Sequence, residues 1–410
     1  MRVVFASHGS LGDLVPFLEI GKVLRARGHD VVVATHGAHK GAVEAAGLAH
    51  APMRPDRPSD AAFHARFMHR TKGPAFAFRE YLVPAIADSD ADLMHACGGT
   101  DVLVSVTLAL AAPLVAARTG IPWLSAAFQP AMLYSAEDPP RLPMLPFRKG
   151  WPQYNAWVLD SAKKGVESWV APLRAYRRAA GLGEYPDHPV FRGQHSPRGV
   201  LALYSPMFGA LPADAPAHTV QTGQVLQSGG PPLPQEIADF LDAGPSPIVF
   251  TLGSASAHAA RRFFIDSAHH ARRLGRRALL LTGGPKNSAA LLAGPDLLAA
   301  AVAPYHAVFP RACAVVHQGG IGTIGLAVAA GTPMVLVPFS HDQPDNSARA
   351  ARAGVARVVP RWSYRLRGAS AIAATLDDGA MAAAVQAAAP RIVAENGAAV
   401  AAAQILAAAQ

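Results

Sequence analysis

Residues 315–325 read VVHQGGIGTIG and hold the residue types of a phosphate cradle. Gly319, Gly320 and Gly322 allow a tight turn with close backbone approach. Thr323 then opens a helix whose free N–H groups and dipole attract an anion. His317 ends the apolar run, where its N–H can donate toward the same phosphate. The run GIGTIG is also a literal G-x-G-x-x-G with an acid, Asp342, downstream, so an NAD(P)-linked oxidoreductase competes for the motif. Two features weigh against that reading. The dinucleotide fingerprint usually opens the first βαβ unit of its domain, whereas this copy comes late. The acid also belongs to a polar cluster, HDQPDN (341–346), where Asp342 and Gln343 suit the several hydroxyls of a sugar better than one ribose edge.

A metal-dependent site would need a different signature. DSDAD (88–92) contains D-x-D, but it follows REYLVPAIA, which reads as a helix rather than a strand leading into a site. A solvated helix end is the expectation, and no metal is assigned.

These residues need elements to hold them. RVVFAS (2–7), a helical pattern ending at Gly28, and HDVVVAT (29–35) open the chain as β-α-β, with valine-rich strands suited to a buried parallel sheet. DVLVSV (101–106), IPWLSAAF (121–128) and GVLALYS (199–205) continue it. Residues 129–196 are rich in proline and aromatics, which predicts interrupted helices, either as a pocket wall or as a surface excursion. QSGGPPLPQE (227–236) reads as a linker. A second α/β run follows in SPIVFTLGS (246–254), RALLLTGG (277–284), CAVVHQGG (313–320) and PMVLVPFS (333–340). Residues 379–410 are alanine-rich and helical, with breaks expected near Pro390 and Gly397. The fold class predicted is α/β, with two doubly wound parallel-sheet domains presenting strand C-terminal ends to a cleft.

The 410 residues, 51% of them hydrophobic, suffice for two such cores. The net charge of +9 fits a basic surface that attracts an anionic ligand or associates peripherally with a membrane. No dense Lys/Arg run with interleaved aromatics points to nucleic acid. Two distant cysteines, Cys97 and Cys313, form neither a disulfide framework nor a metal cage, which suits the cytoplasm. No signal-peptide pattern precedes the first strand, and the uncharged run 102–117 is short for a membrane span.

HQGGIGT together with AAGTPMVLVPFSHDQPDN resembles the donor-site signature of nucleotide-sugar glycosyltransferases of the GT-B fold, the UDP-glycosyltransferase superfamily. GSLGDLVPFLEIGKVLRARGHDV resembles that family's N-terminal acceptor-side motif, so both ends match in order. GIPWLSA, FTLGS and PYHAVFPRACA most resemble the rhamnosyltransferase of rhamnolipid synthesis.

The resemblance implies an acceptor domain over 1–226, a linker over 227–245 and a donor domain over 246–385. It also implies a C-terminal helix, 386–410, that packs back toward the first domain. It implies inverting transfer of a sugar, such as rhamnose or glucose, from a nucleoside diphosphate to an acceptor hydroxyl, without cofactor or metal. Asp13 falls where relatives carry the catalytic base, although an aspartate before a helix also caps it. His8 is the rival base. His317, Gly319, Gly320, Gly322, Thr323 and Ser254 fall at the donor diphosphate, and Asp342 and Gln343 at the donor sugar. Val302 and Ala303 fall at the base, Val302 where plant relatives stack a tryptophan. Leu326 replaces their ribose-binding glutamate, which favours dTDP over UDP. The aromatic stretches of the first domain imply a small apolar acceptor, with Phe128 and Tyr134 beside His8 as pocket candidates. A non-catalytic subunit on the same fold is the remaining alternative. Intact Asp13, His317 and the Asp342–Gln343 pair argue against it.

Overall fold

The computed structural model describes residues 1–58, 60–142, 145–253, 261–284 and 294–409. They form two compact units. One comprises Met1–Ser59, Thr71–Val225 and Asn396–Gln410, and the other Asp60–Arg70 and Leu226–Glu395.

The first part of the chain runs β1 (Arg2–Ala6), α1 (Leu11–Ala26), β2 (Asp30–Thr35), α2 (Lys40–Ala45), β3 (Ala49–Pro52), α3 (Ala61–Phe67) and α4 (Gly73–Phe76). It continues with α5 (Ile86–Ala96), β4 (Val102–Val106), α6 (Ala112–Thr119), β5 (Trp123–Ala127), α7 (Pro152–Ala179), β6 (Val200–Ala202) and β7 (Thr219–Gln221). Of these, α3 belongs to the second unit. The strands make an all-parallel sheet in the order β3-β2-β1-β4-β5-β6-β7. Every residue of β4 and β5 is buried, as expected of strands covered on both faces. The Phe5 and Phe17 rings, both fully buried, lie 4.8 Å apart and fasten α1 to β1. Each such ring contributes about 1.5–3 kcal/mol by its burial.

The second unit adds α8 (Gln235–Asp242), β8 (Ile248–Thr251), α9 (Arg261–Arg273), β9 (Ala278–Leu281), β10 (Leu297–Ala300), α10 (Tyr305–Val308) and β11 (Ala314–His317). It ends with α11 (Ile321–Ala329), β12 (Met334–Leu336), α12 (Gln343–Arg352), β13 (Ala356–Val358), α13 (Tyr364–Leu376) and α14 (Gly379–Ala394). Its sheet is also all parallel, in the order β10-β9-β8-β11-β12-β13. Phe250, Leu280, Val316 and Val335 from the strands meet Phe264 and Ile372 from α9 and α13 in its core.

Helix α8 lies inside the expected linker. The 28-residue α7 replaces the interrupted helices expected in 129–196. Pro152 sits in its first turn, where no N–H bond is lost, and Pro172 is accommodated within it. Among the described residues the irregular parts of this span flank α7, before Trp151 and again from Ala180 to Ser196. Pro390 likewise lies inside α14 rather than breaking it, and the interruption falls at Asn396, in the left-handed region at φ 47°. Beyond it α15 (Gly397–Ala408) packs on α1. Among the described residues no helix is long and apolar enough to cross a membrane.

Candidate active site

In each sheet the strand order reverses beside one strand, and ligands of open α/β sheets bind at the strand C-terminal ends there. In the second unit this point lies between β8 and β11. The glycine loop follows β11 directly, so it stands at that crevice. Gly320 caps α11 without any side-chain hydrogen bond, leaving the N–H groups of Ile321, Gly322 and Thr323 to face an anion. Gly319 sits at φ 88°, and a β-carbon there would fall 2.3 Å from Ser347 Oγ, so glycine is required on both counts.

His317 is placed differently from the sequence expectation. Its ring is fully buried, its Nδ1 accepts the Gly319 N–H at 3.2 Å, and its Nε2 lies 3.4 Å from Met334 Sδ. Burial lowers its pKa to about 3, so the ring is neutral. With Nδ1 accepting, the proton is on Nε2 and faces the Met334 sulfur rather than a diphosphate. His317 thus braces the loop from beneath. The fixed donors at the surface are the backbone groups of α11.

Asp342 and Gln343 begin α12, next to this loop. Asp342 Oδ2 accepts from Asn346 Nδ2 at 2.5 Å, and the same amide donates to the Gly319 carbonyl at 3.2 Å. Gln343 is buried, and its Oε1 accepts the N–H groups of Phe339 and Ser340 at 2.8 and 3.1 Å. The side-chain amide of Gln343 therefore shapes the loop before it can read a sugar. His341 is held at φ 56°, a strained conformation of the kind found at ligand sites. Asn346, fully buried, ties the glycine loop to Asp342. It was not singled out in the sequence, although its place one helical turn after Asp342 was readable.

The base-binding candidates lie nearby. Tyr305 O–H pairs with Thr251 Oγ1 at 2.7 Å, and its ring stacks on Phe309, which fixes the start of α10 beside the end of β8. Ala303 is half-buried there, while Val302 is 72% exposed and offers an open apolar face. Leu326 is half-buried on α11. Ser254 lies outside the described residues.

In the first unit the reversal lies between β1 and β4, and Ser7 to Asp13 follow β1. Ser10 N and Oγ both donate to Asp13 Oδ2, at 2.6 and 2.9 Å, so Asp13 does help cap α1. Oδ1 carries no hydrogen bond from the described residues. A β-carbon on Gly9 would fall 2.2 Å from Asp13 Oδ2, so only glycine admits the carboxylate here. Burial raises the Asp13 pKa, against the opposing Ser10 hydrogen bonds, Arg57 and His39.

Two further histidines complete this corner. His36 Nε2 and His39 Nε2 approach the Gly9 carbonyl at 3.4 and 3.3 Å, with their rings 4.0 Å apart. Burial lowers the pKa of both, to about 4 for His36. Burial, and then His36, lowers His8 to about 3, against the pull of Asp92. Its ring is buried with neither nitrogen hydrogen-bonded, so it is a weak base with no exposed face. Sequence reasoning missed His36, His39 and Arg57. The signal was available in THGAH, because β2 pairs in parallel with β1 and their C-terminal ends must be neighbours.

The acceptor candidates separate. Phe128 is buried in edge-on contact with Phe17, 5.4 Å away, so it belongs to the core and not to a pocket wall. Tyr134 is half-buried after β5 at φ 48°, with its ring edge-on to Phe191 at 4.9 Å. DSDAD lies within α5 rather than at its end. Asp88 and Asp92 pair with Arg54 at 2.8 Å, and Asp90 with Arg118 at 2.9 Å and Tyr176 at 2.8 Å. Among the described residues no group of three His, Cys, Asp or Glu is placed to hold a metal.

No established family profile matches the chain. Individual proteins do. O-mycaminosyltylonolide 6-deoxyallosyltransferase of Streptomyces fradiae is 34% identical over 374 residues, 88% of this chain and 86% of the relative. Vancomycin aglycone glucosyltransferase of Amycolatopsis orientalis is 30% identical over 87% of this chain and 85% of its own. Among solved structures, spinosyn rhamnosyltransferase SpnG, complexed with thymidine diphosphate, superposes with a TM-score of 0.71 at 20% identity, covering 98% of this chain and all of that one. Sequence identity at this level over most of both chains, with two parallel-sheet units carrying the two motifs at their reversal points, places the chain among the nucleotide-sugar glycosyltransferases of the GT-B fold.

Proposed function

We propose that the chain transfers a hexose from a dTDP-sugar, or a UDP-sugar, to a hydroxyl of a small apolar natural product, with inversion and without metal or cofactor. The observation that carries the mechanism is Asp13: one oxygen is fixed by Ser10, the other is open, and its pKa is raised. Such a carboxylate is a stronger base than an ordinary one and is held in one orientation. Oδ1 takes the acceptor proton as the acceptor oxygen bonds to the anomeric carbon. The bond from that carbon to the diphosphate breaks, and its electron pair leaves with the nucleoside diphosphate. The first-turn N–H groups of α11 meet the charge that develops on the diphosphate, as oxyanion donors do. Asp342 and the remaining capacity of Gln343 serve the sugar hydroxyls, and Ala303 and Val302 the nucleotide base.

The donor preference rests on Leu326 and on the thymidine diphosphate carried by SpnG. The acceptor class rests on the relatives, which act on a tylonolide and on the vancomycin aglycone. A transfer assay with dTDP- and UDP-sugars against a panel of macrolide and aromatic alcohols, with product linkage read by NMR, tests the whole reading. Retention of anomeric configuration, or hydrolysis without transfer to any alcohol, would overturn it.

A further inference from the structure

A pocket in the second unit is lined by residues given no part in the reaction proposed above. It has a volume of about 230 Å³ and lies where β12 and β13 end, beside the first turns of α9. Arg262, Arg361 and Arg365 line it, and among the described lining residues Asp266 is the one carboxylate. Asp266 pairs with Arg262, at 3.8 Å. Among the described residues neither Arg361 nor Arg365 has a carboxylate partner. Two positive charges thus stand uncompensated, among the described residues, at one concave surface.

The remaining walls are aromatic. Arg361 lies over the Phe339 ring at 4.3 Å, and Phe263 stacks on Tyr364 at 5.2 Å. The Tyr364 hydroxyl is spent on Ser267, at 2.8 Å, so this residue gives the pocket its ring and not a donor. Trp362, 80% exposed, stands at the rim. Neighbouring side chains remove enough water from the Arg361 guanidinium to push its pKa down, although the residue as a whole stays exposed. A guanidinium does not give up its proton in a protein, so its lost hydration is recovered by an oxyanion. Packing over Phe339 restrains the guanidinium, whose N–H groups can bind a tetrahedral oxyanion. A phosphate monoester near neutral pH carries up to two negative charges, matching the two uncompensated cations.

We propose that this pocket binds a phosphate monoester of a planar or aromatic molecule, the phosphate on Arg361 and Arg365 and the ring against Phe339 and Trp362. Among the described residues none of its lining belongs to the glycine loop or to HDQPDN, although Phe339 is hydrogen-bonded to Gln343, so competition with dTDP decides whether it is separate from the proposed diphosphate site. The probes are phenyl phosphate and inorganic phosphate, titrated calorimetrically into the whole chain with and without saturating dTDP. Phenyl phosphate is expected to bind saturably at one site, more tightly than inorganic phosphate, and equally well when dTDP is present. The double variant Arg361→Ala, Arg365→Ala is expected to weaken it at least tenfold at unchanged melting temperature. Trp362→Ala is expected to reduce phenyl phosphate to the affinity of inorganic phosphate. Absence of saturable binding, equal affinity for the two probes, an unaffected double variant, or displacement by dTDP would each overturn the assignment, the last by placing the probe in the glycine loop.

Discussion

Gly9→Ala tests the placement of the base without touching the base itself. The added β-carbon would sit 2.2 Å from Asp13 Oδ2 and 2.3 Å from Asp13 Cβ. Non-bonded heavy atoms rest at about 3.5 Å, so the Asp13 side chain must retreat by roughly 1 Å. Gly9 is not in the left-handed region, so the backbone itself accepts alanine. The strain at the start of α1 costs about 1–3 kcal/mol, which a domain of this size survives. A displacement of that size at a reacting group costs about a hundredfold in rate. The expected result is a folded protein whose kcat falls about a hundredfold while its donor affinity is unchanged, because Asp13 works on the acceptor. Steady-state transfer kinetics and dTDP calorimetry on the same preparation read both. Parent-like turnover in a folded variant would refute the claim that the position of Asp13 limits the chemistry.

Asp13→Asn should lower transfer by about a hundred- to ten-thousandfold with dTDP binding intact, and retained transfer would remove Asp13 as the base. A raised folded-state pKa contributes stability below the unfolded value that is lost as pH rises through the folded value, so at pH 7 this variant should melt no lower than the parent. His317→Ala should weaken dTDP binding and lower the melting temperature together. It strands the Gly319 N–H, at about 1–3 kcal/mol, so an unchanged melting curve would exclude the bracing role. Burial depresses His8 to about 3, and His36 and His195 to about 4. Their stabilisation is fully present above the unfolded value near 6.5 and is lost as pH falls toward the folded values, each at about 1.4 kcal/mol per pH unit. All three lie in the first unit, against His317, at about 3, in the second, so the first unit should unfold first in an acid titration followed by fluorescence, and simultaneous loss of both units would contradict this. dTDP should bind at least as tightly as UDP, because a 2′-hydroxyl buried against Leu326 costs roughly 1–3 kcal/mol, and EDTA should leave turnover unchanged. Tighter UDP binding, or loss of activity in EDTA, would refute the respective half.

What the sequence revealed and what it concealed divide along a physical line. The inner strands of both sheets were legible because burial on both faces makes them runs of valine, leucine and isoleucine, whereas the short outer strands β3, β7, β10 and β13 carry no such run and were not. The glycine loop was legible because its chemistry is local: turn, free N–H groups and helix start are all written within a few residues. DSDAD was read from the sequence as a solvated helix end, but its carboxylates are paired with Arg54 and Arg118, which lie on other elements and could not be read from the local pattern. Phe128 looked like a pocket residue, but its partner Phe17 comes from the helix after β1.

The placement of His317 shows the same limit more sharply. Its position at a strand tip was correctly read, but a strand tip has two faces, and spacing does not say which one the ring takes. Met334, on the adjacent strand β12, takes up the Nε2 side, and the first N–H of the loop takes up Nδ1. In the proposed donor site a neutral ring with its acceptor on the turn still serves the diphosphate, because it holds Gly319 where Asn346 and Ser347 also meet it. The anion is then met by backbone groups whose orientation is set in advance. Pre-set dipoles of that kind need not reorganise as charge develops, which is where most electrostatic stabilisation arises. Substituting His317 and substituting a residue that contacts the phosphate directly should therefore differ in kind. The first loses donor affinity and melting temperature in parallel, and the second loses affinity alone.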